Sequence, residues 1–356
     1  MTEYTTQIAV IAGGPSGLSA AVQAAEDGAE VIVLEKAATV GGAANMGMGP
    51  LGIGTKYQRQ QMVEITVEKA FKMFMEYTHY NVDARLVKRY FEQSAETIEW
   101  LEDMGVEFEG AFRYFPKSEA TWHIVKTDQG IGPRAASFMN KALYARAQEL
   151  GVQVLLETPA KQIIMEDGKV AGVLATDKDG NEVKVNCKAA IICTGGAGCN
   201  KDFIKQETGY DHGVDMFNFA IPGIMGDGLR MAWEAGADHL PVRIEQAAVI
   251  EGIDDLPGSV ANIMGQPNLL VNYDGKRVMN EEEMQNTTFL SNVASHQKKR
   301  TCFSIVDSSI VRYYVKNGVD NVCLVRPDPD VSDFPEAVKM AKENGNEGLF
   351  IADTIE

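Results

Sequence analysis

The stretch Ile8-Ala-Val-Ile-Ala-Gly-Gly-Pro-Ser-Gly-Leu18, continued by an Ala-rich segment up to Gly28 and by Val31-Ile-Val-Leu-Glu35, decides the fold. Ile8–Ile11 is a short apolar run of the kind a buried parallel strand needs, and Val31–Leu34 is a second. Leu18–Asp27 predicts a helix that stops at Gly28. Gly13, Gly14 and Gly17 permit a tight turn in which backbone amides approach a pyrophosphate. Pro15 and Ser16 open the helix whose free N–H groups favour an anion. Glu35 then stands at the end of the second strand, where a carboxylate accepts hydrogen bonds from ribose hydroxyls and repels a 2′-phosphate. Strand, turn, helix and acid in this order predict a βαβ unit for a dinucleotide in preference to a glycine turn of purely structural use. The first glycine of the usual fingerprint is replaced by Ala12, so the turn must accommodate a Cβ.

At 356 residues the chain is long enough for about two domains. Apolar residues make up 45% and charged residues 23%, which fits a globular α/β protein and not a disordered one. The formal charge of −17 comes without a basic stripe, which disfavours binding along a nucleic-acid backbone and reads as a solvated acidic surface. Met1–Thr6 has no basic segment leading into an apolar core, and the first apolar run is too short to span a membrane; a cytoplasmic protein is the expectation. The five cysteines, Cys187, Cys193, Cys199, Cys302 and Cys323, form no C-x-x-C pair. That argues against a disulfide framework, a zinc ribbon or an iron–sulfur site, and no metal is expected. Cys199 follows a glycine-rich turn but reads as a small packing residue.

From Lys36 to Pro50 the chain is almost entirely small residues and Met, a composition suited to close backbone approach to a ligand and unlike that of a polar surface loop. Val63, Val67, Ala70, Phe71 and Phe74, then Val87, Phe91, Ser94, Ile98 and Leu101, recur at helical spacing, with Asn81 and Asp83 available as caps between them. These predict a two-helix insertion over about 57–110, whose Met and aromatic stripes pack a core. His123, beside Trp122, suits either donation to a flavin or substrate carbonyl or a satisfied internal role. A helix over Ala135–Leu150 leads to a strand at Val152–Glu157. Strands at Ile163–Met165, Val170–Thr176 and Glu182–Val185, joined by Gly-containing turns, predict a β-meander. Ala189–Cys193 is another apolar strand, and it ends in Thr194-Gly195-Gly196, a second glycine turn at the end of a strand where α/β sheets place ligands.

The chain resembles the flavoprotein subunits of the fumarate reductase and succinate dehydrogenase superfamily, which includes fumarate reductase-like and ketosteroid dehydrogenase-like FAD enzymes. Five motifs carry the resemblance: Val10–Leu18, Val33-Leu-Glu-Lys36 with Gly41-Gly42, Cys193–Ala197, Met225–Asp238 and Leu270–Glu281. It implies an α/β fold in which a Rossmann-like, glutathione-reductase-type FAD domain with a β-meander occupies residues 1–239, and an α+β capping domain occupies 240–356. It implies that Gly13, Gly14, Pro15, Ser16 and Gly17 lie on the pyrophosphate and Glu35 at the ribose, with Lys36 a further cofactor contact. Gly42, Ala43, Ala44, Met48 and Gly49 would follow the flavin, with Ala160 at the adenine and Thr194, Gly195 and Asp227 as further cofactor contacts. The activity implied is hydride transfer through flavin N5 to or from a carbonyl-activated C=C or CH–CH bond of a small-molecule substrate.

The resemblance has gaps. The family's proton-donating arginine falls at Gln285, its relay acid near Ala261, the partner arginine near Met264 and the substrate histidine near Ala248, and none of these can do that work. Val242–Asn286 holds only Arg243, Lys276 and Arg277 as cations, which leaves no dicarboxylate clamp. Arg277, next to the Asp274-Gly275 turn of an expected hairpin between Leu269–Tyr273 and Arg277–Val278, is as plausible structurally as catalytically. Asp227 equally suits a cap for the helix beginning near Gly228. With no histidine between Glu35 and Gln60, FAD is expected to be held non-covalently. With no haem or iron–sulfur motif, electrons are expected from a separate donor, a reduced nicotinamide or the substrate. Family members run on past the position of Ile355-Glu356, so Leu349–Glu356 is expected to be the start of a capping-domain helix in a truncated chain that retains flavin weakly. Two rival readings remain: an NAD-dependent oxidoreductase gripping its cofactor with the same fingerprint, and a non-catalytic flavin-binding protein.

Overall fold

Residues 1–249 and 256–354 are described by a computed structural model. Strands β1 (Thr2–Thr5), β2 (Ile8–Ile11), β3 (Val31–Leu34), β4 (Phe108–Phe112), β5 (Trp122–Val125), β6 (Gln153–Leu155), β7 (Ala160–Glu166), β8 (Lys169–Thr176), β9 (Glu182–Asn186) and β10 (Ala189–Ile192) belong to the first of two units; β11 (Leu269–Val271) and β12 (Phe303–Ile305) belong to the second. The first unit comprises Met1–Asn200 and Ile221–Leu240, the second Lys201–Ala220 and Pro241–Glu356. Residues 201–220 thus group with the second unit, whereas the sequence assigns them to the first.

The apolar runs form a parallel sheet ordered β10-β2-β3-β6. Side chains alternate across it, so its two faces meet different partners. Val10 and Val33 pack against Ala21 and Val22 of the helix Pro15–Glu26 and Ala147 of the helix Ala136–Glu149. Ala9, Ile11, Ile32 and Leu34 pack against Val173, Ala175, Val183 and Val185 of a second sheet, ordered β1-β9-β8-β7. Helices, parallel sheet and meander are therefore three layers around two apolar seams. In the second sheet β7, β8 and β9 pair antiparallel as the turns predict, and β1, which the sequence does not announce, joins β9 in parallel. The Val152–Glu157 run contributes β6 to the parallel sheet.

The insertion consists of helices Lys56–Gln60, Val67–Tyr77 and Ala84–Asp103. Asp83 caps the last by accepting from the amides of Arg85 at 2.9 Å and Leu86 at 3.4 Å. Phe91 and Ala70 close a small core with Ile53 and Ile65.

In the second unit the expected hairpin at Asp274-Gly275 forms: Gly275 N donates to Asn272 O at 2.9 Å, Asn272 N to Lys276 O at 3.0 Å and Val278 N to Leu270 O at 3.2 Å, with Val271 opposite Arg277. β11 also pairs antiparallel with β12, which the sequence does not announce. The expected terminal helix is not found over residues 349–354. Leu349 is buried in the core around Val260 and Ala341, and Lys342 Nζ donates to its carbonyl. Ile355-Glu356 lie outside the described residues. Among the described residues no helix is long and apolar enough to cross a membrane.

Candidate functional site

Three segments meet at the carboxyl ends of β10, β2 and β3, where open α/β sheets place ligands. The first is the turn leaving β2. Ala12 has φ +87°, a left-handed conformation that a side chain disfavours. Gly17 sits so close beneath it that a Cβ would lie 1.9 Å from Ala12 O, which accounts for the last glycine as a packing requirement. Gly14 caps the helix without help from a side chain, and Pro15 occupies its first turn. The amides of Ser16 and Gly17 precede the first intrahelical bond, in which Leu18 N donates to Gly14 O at 2.8 Å.

Glu35 is buried at 6% exposure and accepts two backbone bonds, from Gly13 N–H to Oε2 and from Ala37 N–H to Oε1, both at 2.7 Å. It therefore ties the glycine turn to the strand end. A carboxylate has about four lone-pair sites, so capacity is left for hydroxyl donors. Ala160 lies at the start of β7, in a segment stitched to the same place: Thr158 N donates to Glu35 O at 2.8 Å and Glu157 N to Ala37 O at 3.0 Å.

The second segment is the small-residue loop. Gly41 N donates to Gly13 O at 2.8 Å, and Gly42–Met46, which includes Ala43 and Ala44, winds into a 3₁₀ turn beside Gly14. Asn140, 1% exposed on the helix Ala136–Glu149, donates to Asn45 Oδ1 at 2.8 Å and to Gly41 O at 3.3 Å, fixing the loop from below. The sequence reading overlooks this residue. Its signal is a polar side chain four residues from Ala136 on an otherwise apolar stripe with Met139 and Leu143. Met48 and Gly49 run alongside β5, with Val125 N donating to Met48 O at 2.9 Å and Trp122 Nε1 to Gly49 O at 2.7 Å. A Cβ on Gly49 would lie 1.9 Å from His123 O.

The third segment follows β10. Cys193 N donates to Ile11 O at 2.9 Å, which delivers Thr194 and Gly195 beside the first turn. Gly226 N donates to Gly196 O at 3.0 Å, bringing in Asp227. Asp227 opens the helix Asp227–Glu234 but caps nothing; Gly226 is the cap, with no side-chain bond. The Asp227 carboxylate instead pairs with Lys36 Nζ at 2.7 Å, and Lys36 also donates to Gly223 O. Thr194 Oγ1 is buried against Gly228 and has no hydrogen-bond partner among the described residues.

The two catalytic candidates are placed elsewhere. His123 is fully buried, with Nε2 2.7 Å from Thr55 Oγ1 and Nδ1 3.1 Å from Thr121 O. Nδ1–H therefore donates to the carbonyl, Nε2 accepts from the hydroxyl, and burial lowers the ring's pKa and keeps it neutral. No ring nitrogen is left for a flavin or substrate, because packing takes precedence over exposure here. Arg277 forms a bidentate pair with Glu281, itself 4% exposed and accepting from Leu270 N at 3.1 Å.

A three-layer fold with glycine turns, small-residue loop and buried acid gathered at one sheet end defines a dinucleotide-binding protein. The profile of the FAD binding domain family matches residues 7–317, and the chain belongs to that family. It is 31% identical to a vinyl phenol reductase of Lactiplantibacillus plantarum, over 98% of this chain and 71% of that protein. It is 29% identical to a probable fumarate reductase of Shewanella frigidimarina, over 78% of this chain and 46% of that protein. A 3-ketosteroid-Δ4-(5α)-dehydrogenase of Rhodococcus jostii RHA1 shares the fold, with a TM-score of 0.73 at 22% identity over 88% of this chain and 69% of that one. The chain thus spans about half the length of the fumarate reductase. Family, fold class and FAD as cofactor stand as expected. The expected class, an FAD-dependent oxidoreductase of C=C or CH–CH bonds, agrees with the named reductases among the relatives.

Proposed function

We propose that this protein binds FAD non-covalently at the converging turns and reduces an activated C=C bond, or runs the reverse dehydrogenation, on a small organic substrate. The observation that carries the placement is the open cradle at Gly14: a Cβ there would meet nothing within 4 Å, while the neighbouring amides precede the first helical bond. An anion of pyrophosphate type fits this donor set, and Glu35 fits ribose hydroxyls. Gly13, Gly14, Pro15, Ser16 and Gly17 would hold the phosphates. Gly42, Ala43, Ala44, Met48 and Gly49 would flank the ring system with backbone groups, Ala160 would meet the adenine through its main chain, and Thr194 and Gly195 would close the opposite wall. The Lys36–Asp227 pair would clamp the two sides together. Residues 1–239 would be the FAD domain and 240–356 the cap.

The chemistry that FAD supplies when bound is hydride exchange at ring N5. The chain's part is to orient the cofactor and exclude water, and the buried, satisfied His123 stiffens the strand next to Gly49. The cation-poor Val242–Asn286 segment favours an uncharged substrate of the vinyl phenol kind over a dicarboxylate. The five free cysteines suit a reducing, cytoplasmic setting, and a separate electron donor would complete the cycle. The test is reconstitution. In the presence of added FAD the chain should show the perturbed visible absorption of bound flavin, Glu35→Gln should bind FAD about 10-fold less tightly, and the reduced holoprotein should be reoxidised anaerobically by an alkenyl phenol but not by fumarate. A colourless chain that binds NADH would overturn the reading.

A further inference from the structure

A cavity of about 680 Å³ lies between the helices Val67–Tyr77 and Ala84–Asp103 and the β4–β5 hairpin, within the size range of small-molecule sites. Its wall is aromatic, with Phe74, Phe91, Phe112 and Trp122 among the contributors. Phe74 and Phe91 stand edge to face at 5.9 Å, so the wall presents both a ring face and ring edges to an occupant. None of the lining residues is Lys, Arg or His. Lys69, Lys72 and Lys117 each adjoin a lining residue in sequence; Lys69 pairs with Glu119 at 2.7 Å and Lys72 with Glu76 at 3.8 Å.

The polar side chains in the wall are Tyr77, Tyr114, Ser118, Glu119, Thr121 and Trp122. Trp122 Nε1–H is used on Gly49 O, and Ser118 Oγ–H donates to Phe115 O at 2.8 Å. Glu119, which lines the cavity, is acceptor-only when ionised. An occupant should therefore be flat and apolar and carry an O–H donor for the free acceptor capacity of Glu119, and lack a carboxylate, for which the lining supplies no cation because Lys69 is already paired with Glu119.

We infer that this cavity is a binding site for an uncharged aromatic alcohol. The assignment of ligand class rests on the cavity alone and holds with or without FAD. Gly49 lies both in the cavity wall and in the loop proposed to flank the flavin, which makes the site a candidate substrate pocket on that reading.

Calorimetric titration of the full chain with 2-naphthol and with 2-naphthoate, which differ only in hydroxyl against carboxylate, tests the inference. Naphthol should bind and quench Trp122 fluorescence, and naphthoate should bind at least about 10-fold more weakly. Met73→Trp, a change at a half-exposed lining position that fills the space from its rim, should weaken naphthol by about 10-fold without loss of fold by circular dichroism. Glu119→Gln should narrow the naphthoate penalty to about threefold or less. Equal binding of the two ligands, no naphthol binding, or indifference to Met73→Trp would each overturn the inference. A colourless but naphthol-binding protein would reject only the flavin reading.

Discussion

Ala12 and Gly17 are the two residues on which the turn is built, and they predict opposite outcomes. Ala12 holds φ +87° with a Cβ, a conformation that costs L-residues about 1 kcal/mol. Ala12→Gly should therefore raise stability by about 0.5–1 kcal/mol in urea unfolding, with FAD retention unchanged. Gly17→Ala drives a methyl to within 1.9 Å of Ala12 O, a backbone atom that cannot step aside. Separating helix from turn should cost about 3 kcal/mol and abolish FAD retention in the same experiment. His123 carries a pH dependence. Its pKa is depressed by burial, so the folded state resists a proton that the unfolded state takes up below about pH 6.5. Its contribution is complete above that pH and is lost as pH falls toward the depressed folded value, with a slope of at most about 1.4 kcal/mol per pH unit. Thermal unfolding between pH 7.5 and 5 should be less steep for His123→Gln than for the parent, although the variant starts less stable.

Between elements, the informative pairing is Lys36 with Asp227, which links the end of β3 to the helix Asp227–Glu234. Both side chains are about 40% exposed, so a double-mutant cycle with Lys36→Met and Asp227→Asn should give a coupling of only about 0.5 kcal/mol in stability, shrinking in salt. If the pair clamps the walls of the cofactor site, each single variant should lower FAD affinity by more than that coupling implies. Equal losses in both measurements would make the pair merely structural. This contact also marks where sequence reading stops. The turn at Gly13–Gly17, the alternating burial of β2 and β3 and the Asp83 cap were legible because short-range geometry sets them. Lys36–Asp227, the Asn140 anchor under Gly41 and the pairing of β12 with β11 were not, because each depends on which distant segment wins a partner. Asp227 read as a helix cap and as a cofactor contact; Gly226 is the cap, and the Asp227 carboxylate pairs with Lys36 at 2.7 Å. His123 stayed undecided because burial, not residue type, determines whether an imidazole works or packs.

For the molecule as a whole, the net charge of −17 must be reconciled with a proposed ligand that is itself an anion. The first glycine turn offers uncharged amides, and Lys36 is neutralised by Asp227, so attraction is confined to hydrogen-bond range. Beyond it an approaching dinucleotide meets a repulsive field, which extends about 30 Å at 0.01 M salt and about 8 Å at 0.15 M. Salt should remove the long-range repulsion and leave the short-range grip largely intact. Stopped-flow fluorescence of FAD binding is therefore expected to show an association rate that rises, by about two- to fivefold, between those salt concentrations, with a nearly constant dissociation rate. A site dominated by lysines and arginines would show the reverse slope. An association rate that falls with salt would mean that cations outside the turn, such as a Lys36 released from Asp227, draw the ligand in and that the amide cradle is not the principal phosphate site.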